Sequence, residues 1–172
     1  MGLEKATIHH LSEIQNVCID AYSQTYADHW THNGLALYLE QEFGTNRLKS
    51  DLNDANCHYF FIKKDAETIG FIKINTKSSL EFSELDNCEL DKIYLFPKYS
   101  GLGFGKTAMT KIIKLMQEKG KTIFFLCVID TNKNAIAFYE RLGFEFHSKT
   151  ILDILYFKED LKGMNLMSLK LS

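Results

Sequence analysis

Proline occurs once in this chain of 172 residues, at Pro97, and internal repeats, linkers and low-complexity tracts are missing. With 45% hydrophobic and 13% aromatic residues, disorder is excluded and a single well-filled domain over 1–172 is expected. No apolar run approaches the roughly 20 residues needed to span a bilayer. The first eleven residues also lack the basic-then-apolar order of a secretory signal. The expectation is a cytoplasmic protein with no membrane partner. A basic surplus is absent too: net charge is −2 and pI is near 6.3. That argues against general nucleic-acid binding through phosphate contacts and leaves room for a cationic partner. Cys18, Cys57, Cys88 and Cys127 are far apart and form no Cys-x-x-Cys pair. Reduced, buried thiols are expected rather than disulfides or a zinc site. The histidines lack a partner set suited to a metal, so none is expected.

What is present is a regular succession of elements. After Thr7, a candidate N-cap, Leu11, Ile14, Val17, Cys18 and Tyr22 follow helical spacing, so the first long element is an amphipathic helix. Tyr22, Tyr26, His29, Trp30 and His32 then crowd together, either as packing or as a pocket lining. Residues 35–43 and 45–52 read as two short helices. Two aromatic and β-branched runs around Asp65-Ala-Glu-Thr predict an antiparallel hairpin. A central strand over 89–96 leads through a glycine loop into a helix carrying Ala108, Met109, Ile112, Ile113 and Met116, stopped at Gly120. Residues 122–128 form an apolar strand, which makes a parallel pair with a right-handed crossover. A helix over 132–142, ended by Gly143, and strands within 145–157 and 165–171 complete the chain.

The centre of this order is Ser100-Gly101-Leu102-Gly103-Phe104-Gly105-Lys106-Thr107. Three glycines at alternate positions let the backbone approach a ligand and adopt φ > 0. A helix start behind them concentrates unpaired N–H donors and the positive dipole end, and Lys106 adds a formal charge, so the loop suits a phosphate. An ordinary strand-to-helix turn has the same pattern. An ATP-binding P-loop needs glycine where Ser100 stands, and the dinucleotide fingerprint needs a third glycine at Lys106, so both are out of register.

Two motifs resemble the GNAT superfamily of acetyl-coenzyme A dependent N-acetyltransferases. The first is the family's Gln/Arg-x-x-Gly-x-Gly/Ala loop at positions 100–105, preceded by Ile93, Tyr94, Leu95 and Pro97; Ser100 departs from it. The second is Asn132-x-x-Ala135-Ile136-x-Phe138-Tyr139-x-x-x-Gly143-Phe144. Tyr22-x-x-Thr25-Tyr26 and Tyr38-Leu39-Glu40-x-x-Phe43 narrow the resemblance to PaiA-type spermidine/spermine acetyltransferases. The resemblance implies an α/β (α+β) GNAT fold: a central mixed, mostly antiparallel sheet with a parallel pair at the coenzyme A site and helices on both faces. It implies that the backbone of Ile93, Tyr94 and Leu95 holds the pantetheine arm and that amides of Gly101, Leu102, Gly103, Phe104, Gly105 and Lys106 hold the pyrophosphate. Asn132 and Tyr139 would bind acetyl-coenzyme A, with Tyr139 the acid that protonates the departing thiolate. Outside the resemblance, Tyr139 reads as a core tyrosine and Asn132 as a helix N-cap.

An amine must lose a proton before it attacks, so a base is required. Glu89 is the first candidate and Asp91 the second. Strand alternation puts both on one face with Ile93 and Leu95. Glu81, Glu84, Asp86, Glu89 and Asp91 form an acidic approach, either a solvated loop or a field that concentrates a polyamine. The expected activity is acetyl transfer to a primary amine such as spermidine or spermine by direct attack. A coenzyme A binding regulator and an acetyltransferase for a protein or peptide amine are the alternatives. A homodimer is one open arrangement.

Overall fold

The structure is a computed structural model and describes residues 1–77, 82 and 86–171. Glu81 and Glu84 of the acidic approach lie outside the described residues. Seven strands form one sheet: β1 (Gly2–Lys5), β2 (Cys57–Lys64), β3 (Glu67–Asn75), β4 (Asn87–Leu95), β5 (Ile123–Ile129), β6 (Glu145–Ile151) and β7 (Gly163–Lys170), in the spatial order β1-β2-β3-β4-β5-β7-β6. Neighbours run antiparallel except β4 and β5, which are parallel. The helices are α1 (Leu11–Tyr26), α2 (Gly34–Phe43), α3 (Thr45–Asn53), α4 (Phe104–Glu118) and α5 (Lys133–Glu140). This is the mixed, mostly antiparallel GNAT architecture expected from the motifs, with α4 as the crossover between the parallel strands.

Strands β2 and β3 are each buried over six consecutive residues, with no polar-apolar alternation. Helices on both faces explain this, because a strand covered on both sides needs apolar residues at every position. On one face α4 buries Ala108, Met109, Ile112 and Met116 against Phe60, Ile72 and Leu126. On the other, α1, α2 and α3 bury Ile14, Phe43 and Leu48 against Tyr59, Phe61 and Phe71. Gly120, at φ +72, ends α4 as its left-handed stop.

Two local expectations differ from the structure. Thr7 precedes a short 3-10 turn at Ile8–His10 rather than α1 itself, which begins at Leu11. The edge strand β1 has no counterpart among the expected elements, since four residues carry too little periodicity to mark a strand. It is defined by its pairing with Phe60 to Lys63.

The decisive irregularity lies in β4. Lys73 pairs with Lys92 but Ile74 pairs with Leu90, so Asp91 is an extra residue in the ladder. A bulge of this kind reverses the side-chain alternation beyond it. Cys88 and Leu90 before the bulge and Ile93 and Leu95 after it all pack toward α4. Glu89 and Asp91 therefore face away from Ile93 and Leu95, contrary to the simple alternation. The β4–β5 ladder also ends at Leu90 and Leu126, so the edge of Ile93 to Leu95 that faces β5 has no strand partner. The two strands part there and open a cleft between them.

Among the described residues no helix is long and apolar enough to cross a membrane.

Candidate active site

Two hollows meet where β4 and β5 part. A groove of about 500 Å³ runs along Leu95, Ser100, Gly101, Gly103, Gly105 and Lys106. A cavity of about 330 Å³ lies beyond it, toward α1 and α2. Tyr26, Ile93, Tyr94, Ala135 and Tyr139 line both, so this is the point where a molecule in one can touch a molecule in the other.

The groove is built by backbone. Gly101 and Gly103 stand at φ +75 and +83, which a side chain resists, and a Cβ on either would project into open space. Gly103 is the N-cap of α4 and offers no side-chain cap. The amides of Phe104, Gly105 and Lys106 that follow have no acceptor among the described residues. These are the free donors at the positive end of a helix dipole, and Lys106 lines the same groove. Leu102 turns to solvent at 64% exposure, and the Phe104 ring packs on Tyr99 at 6.1 Å, so neither side chain lines the groove. Asn134, Phe138 and Arg141 of the α5 region form its other wall; Phe138 belongs to the Asn132–Phe144 motif, whereas no motif position marks Asn134 or Arg141.

Asn132 performs a helix-cap role in α5, its Oδ1 accepting from the Ala135 amide at 3.1 Å, while lining the cavity. That cap orients α5 so that Tyr139 reaches the junction. The Tyr139 ring sits between Phe138 at 5.1 Å and Phe144 at 5.9 Å. Burial, with Tyr26 nearby, pushes its phenol well above the usual range, so it stays protonated.

The cavity is walled by tyrosines that the chain brings from three elements. Tyr22 and Tyr26 come from α1, Tyr38 from α2 and Tyr94 from β4. Tyr22 lies 4.8 Å from Tyr38 and 5.4 Å from Tyr94, measured between ring centroids. Burial raises the pKa of all four, so these phenols are neutral and supply no charge. Of the aromatic stretch after α1, Trp30 is buried against Tyr38 and Phe157, whereas His32 meets Tyr156 away from the cavity.

Charge enters through Glu42, Glu89, Asp91 and Lys92. Lys92 Nζ lies 2.7 Å from Asp91 and 3.0 Å from Glu42. Lys73 Nζ lies 2.9 Å from Asp91 and 3.0 Å from Asp51, whose other contacts are the Tyr59 hydroxyl and Arg47. Lys73 and Lys92 are cross-strand neighbours, a repulsive pairing that the interleaved carboxylates relieve. Burial opposes the charge of both lysines, but Asp91, together with Asp51 at Lys73 and Glu42 at Lys92, outweighs it and holds their pKa above normal. Burial likewise works against ionisation of Asp91, but Lys92 and Lys73 together pull its carboxyl far below the usual range. Asp91 is thus a fixed anion committed to two ion pairs, which ill suits a base.

Glu89 is different. Burial raises its pKa, Asp91 adds to the rise, and the Asn75 amide, donating at 3.1 Å, opposes it together with Lys92 and Lys73. A carboxylate moved toward neutrality is the kind that exchanges protons near working pH. Asp86 is exposed, and its carbonyl accepts from the Thr122 amide, so it stands apart from this group.

Comparison with known proteins agrees with this geometry. The acetyltransferase (GNAT) family matches residues 16–144. The spermidine N(1)-acetyltransferase of Thermoplasma acidophilum is 24% identical over 147 residues, spanning 83% of this chain and 87% of that protein. The crystal structure of the PaiA N-acetyltransferase from Thermoplasma acidophilum in complex with coenzyme A superposes with a TM-score of 0.75 at 20% identity, covering 99% of both chains. The ribosomal-protein-S18-alanine N-acetyltransferase from Escherichia coli superposes with a TM-score of 0.73 at 19% identity, covering 99% of this chain and 94% of that one.

Proposed function

The chain belongs to the acetyltransferase (GNAT) family and is an acetyl-coenzyme A dependent N-acetyltransferase; from that premise we propose that its acceptor is a small polycationic amine such as spermidine or spermine. The observation that carries the proposal is the cavity beyond Tyr139. Tyrosine faces attract ammonium groups, by about 0.5–2 kcal/mol each depending on exposure. Among the described residues, three carboxyl groups, Glu42, Glu89 and Asp91, line the same space with one cation, Lys92. A volume of about 330 Å³ suits a slender amine better than a folded protein surface. The similarity to a spermidine acetyltransferase points the same way.

The groove suits a long anionic thioester. Its open left-handed glycines and free helix-terminal amides fit a pyrophosphate, and the unpartnered edge of Ile93, Tyr94 and Leu95 fits an extended arm added as a strand would be. Acetyl-coenzyme A supplies the acetyl thioester whose carbonyl the acceptor nitrogen attacks. In the proposed reaction Glu89 takes a proton from the acceptor's ammonium, directly or through water. An N–C bond forms as the C–S bond breaks, Tyr139 gives its proton to the departing sulfur, and the surplus proton on the acylated nitrogen passes through water to restore the Tyr139 phenol. Asn132 holds α5, and hence Tyr139, in place.

Thiol release from acetyl-coenzyme A, followed with spermidine, spermine, diamines, amino sugars and peptides, tests the acceptor. Spermidine and spermine are expected to give the highest kcat/KM. Turnover confined to peptides would transfer the assignment to a protein amine, and no turnover with any amine would leave a coenzyme-binding regulator. In the same assay, Tyr38→Ala is expected to raise KM for the polyamine about tenfold, one aromatic face being worth about 1.4 kcal/mol, with KM for acetyl-coenzyme A little changed.

Gly103→Val probes the loop separately. A β-branched residue at φ +83 is strained and its Cβ enters the open groove. KM for acetyl-coenzyme A is expected to rise at least about tenfold, a loss of one charge-assisted amide contact, while KM for the amine stays near wild type. Equal losses for both substrates would point to general misfolding of the loop.

A further inference from the structure

Glu89 is held by a side chain that the reaction itself does not call for. Asn75, the last residue of β3, stands directly opposite Glu89 in the β3–β4 ladder. Its Nδ2 donates to Glu89 Oε2 at 3.1 Å and to Asp91 Oδ2 at 3.3 Å. We infer that Asn75 is a positioning residue for the proposed base, tying the Glu89 carboxylate to the ion-paired Asp91 and so fixing both its place in the cavity and its readiness to accept a proton. The inference rests on the reading of Glu89 as base.

The argument is one of chemistry and geometry. Two carboxyl groups two positions apart on a strand are joined across the bulge by one amide, whose two N–H groups are the right donors for two acceptors. Without that bridge Glu89 has no other hydrogen-bond donor among its contacts in the described residues. Its carboxylate would then meet burial and the negative charge of Asp91, with Lys92 and Lys73 acting only from a distance. Among the described residues, the charges that act on it are Asp91 and Lys92 from β4 and Lys73 from β3; behind them Lys92 holds Glu42 of α2 and Lys73 holds Asp51 of α3. On β5 its register partner is the apolar Phe125. All five charges are joined in one chain of ion pairs, Glu42–Lys92–Asp91–Lys73–Asp51, so each is held by its own partners and the Asn75 amide is the direct contact to Glu89.

The sign follows. A donor to the carboxylate favours the charged form, so its loss moves the Glu89 pKa further up. The base is then protonated over a wider range, and the ascending limb of kcat against pH moves to higher pH.

The experiment compares Asn75→Leu with Glu89→Gln and the parent enzyme, measuring kcat at saturating acetyl-coenzyme A and amine across the pH range. Asn75→Leu keeps the branched shape and number of heavy atoms and removes both donors. The expected result is an ascending limb displaced to higher pH, with kcat about tenfold lower on the acid side, the worth of one hydrogen bond to a charged group, and recovery toward the parent value on the alkaline side. Glu89→Gln should lose the limb. The limb's position does not depend on the fraction of enzyme folded, so a merely destabilised variant would show a lower plateau with an unmoved limb. That result, with the limb absent in Glu89→Gln, overturns the inference while sparing the base. A limb retained in Glu89→Gln overturns the base assignment and the inference with it.

Discussion

Tyr139→Phe is expected to lower kcat about 10²-fold while leaving KM for acetyl-coenzyme A within about twofold, the lower end of what a general acid contributes. The lower end applies because a thiol of pKa about 8.5 is already a fair leaving group. The ring stays wedged between Phe138 and Phe144, so deleting the hydroxyl removes the proton donor without removing the wall. Burial holds the phenol above its ordinary pKa. The parent enzyme should therefore show no alkaline fall in kcat from this group below about pH 10, the ordinary phenol value. Steady-state kinetics across pH checks both points. A variant that turns over at the parent rate would remove Tyr139 from the mechanism.

The second large effect concerns stability. Lys92→Met removes the buried ammonium that lies 2.7 Å from Asp91 and 3.0 Å from Glu42, leaving Asp91 to Lys73 alone and the partly buried Glu42 without its ion-pair partner. Removing one member of a buried ion pair costs about 3–5 kcal/mol, because the partner charge is left uncompensated. For a domain of this size that is a fall of roughly 10 °C in Tm. Methionine matches the stem and keeps the packing over Phe43, whose ring centre is 5.9 Å from Nζ. Adding Asp91→Asn to Lys92→Met should recover part of the loss, and the double-mutant cycle isolates the pair. Additive effects would show that the ion pair contributes little.

The pH dependence follows from the same group. The folded pKa of Asp91 is depressed, so its contribution to stability is complete above the unfolded value of about 3.9 and is lost as pH falls through the lower folded value. Glu89 has the opposite sign: its raised folded pKa favours the neutral form, a contribution lost as pH rises through that value. Two carboxyl groups two residues apart thus behave oppositely.

Much of the coenzyme groove was legible in the chain because its determinants are contiguous. Gly101, Gly103 and the start of α4 act through their own backbone, and Asn132 to Phe144 is one helix with its cap and stop. The cavity was less legible. Tyr22 and Tyr26 drew notice as aromatics, but Tyr38, Glu42 and Lys92 reach it from α2 and from beyond a bulge that alternation does not predict. The ion pairs of Asp91 with Lys73 and Lys92 join β3 to β4 and leave no mark in either segment alone.

The amino-acid sequence by itself determined the order of the elements after β1, the parallel pair and the glycine-rich turn that opens α4, since spacing of apolar residues and the placing of glycine act over a few neighbouring positions. Tertiary structure alone decided which of the two carboxyl groups is committed to ion pairs. That choice depends on the extra residue at Asp91, which turns Glu89 away from Ile93, and on two buried lysines that occupy Asp91 and leave Glu89 to Asn75.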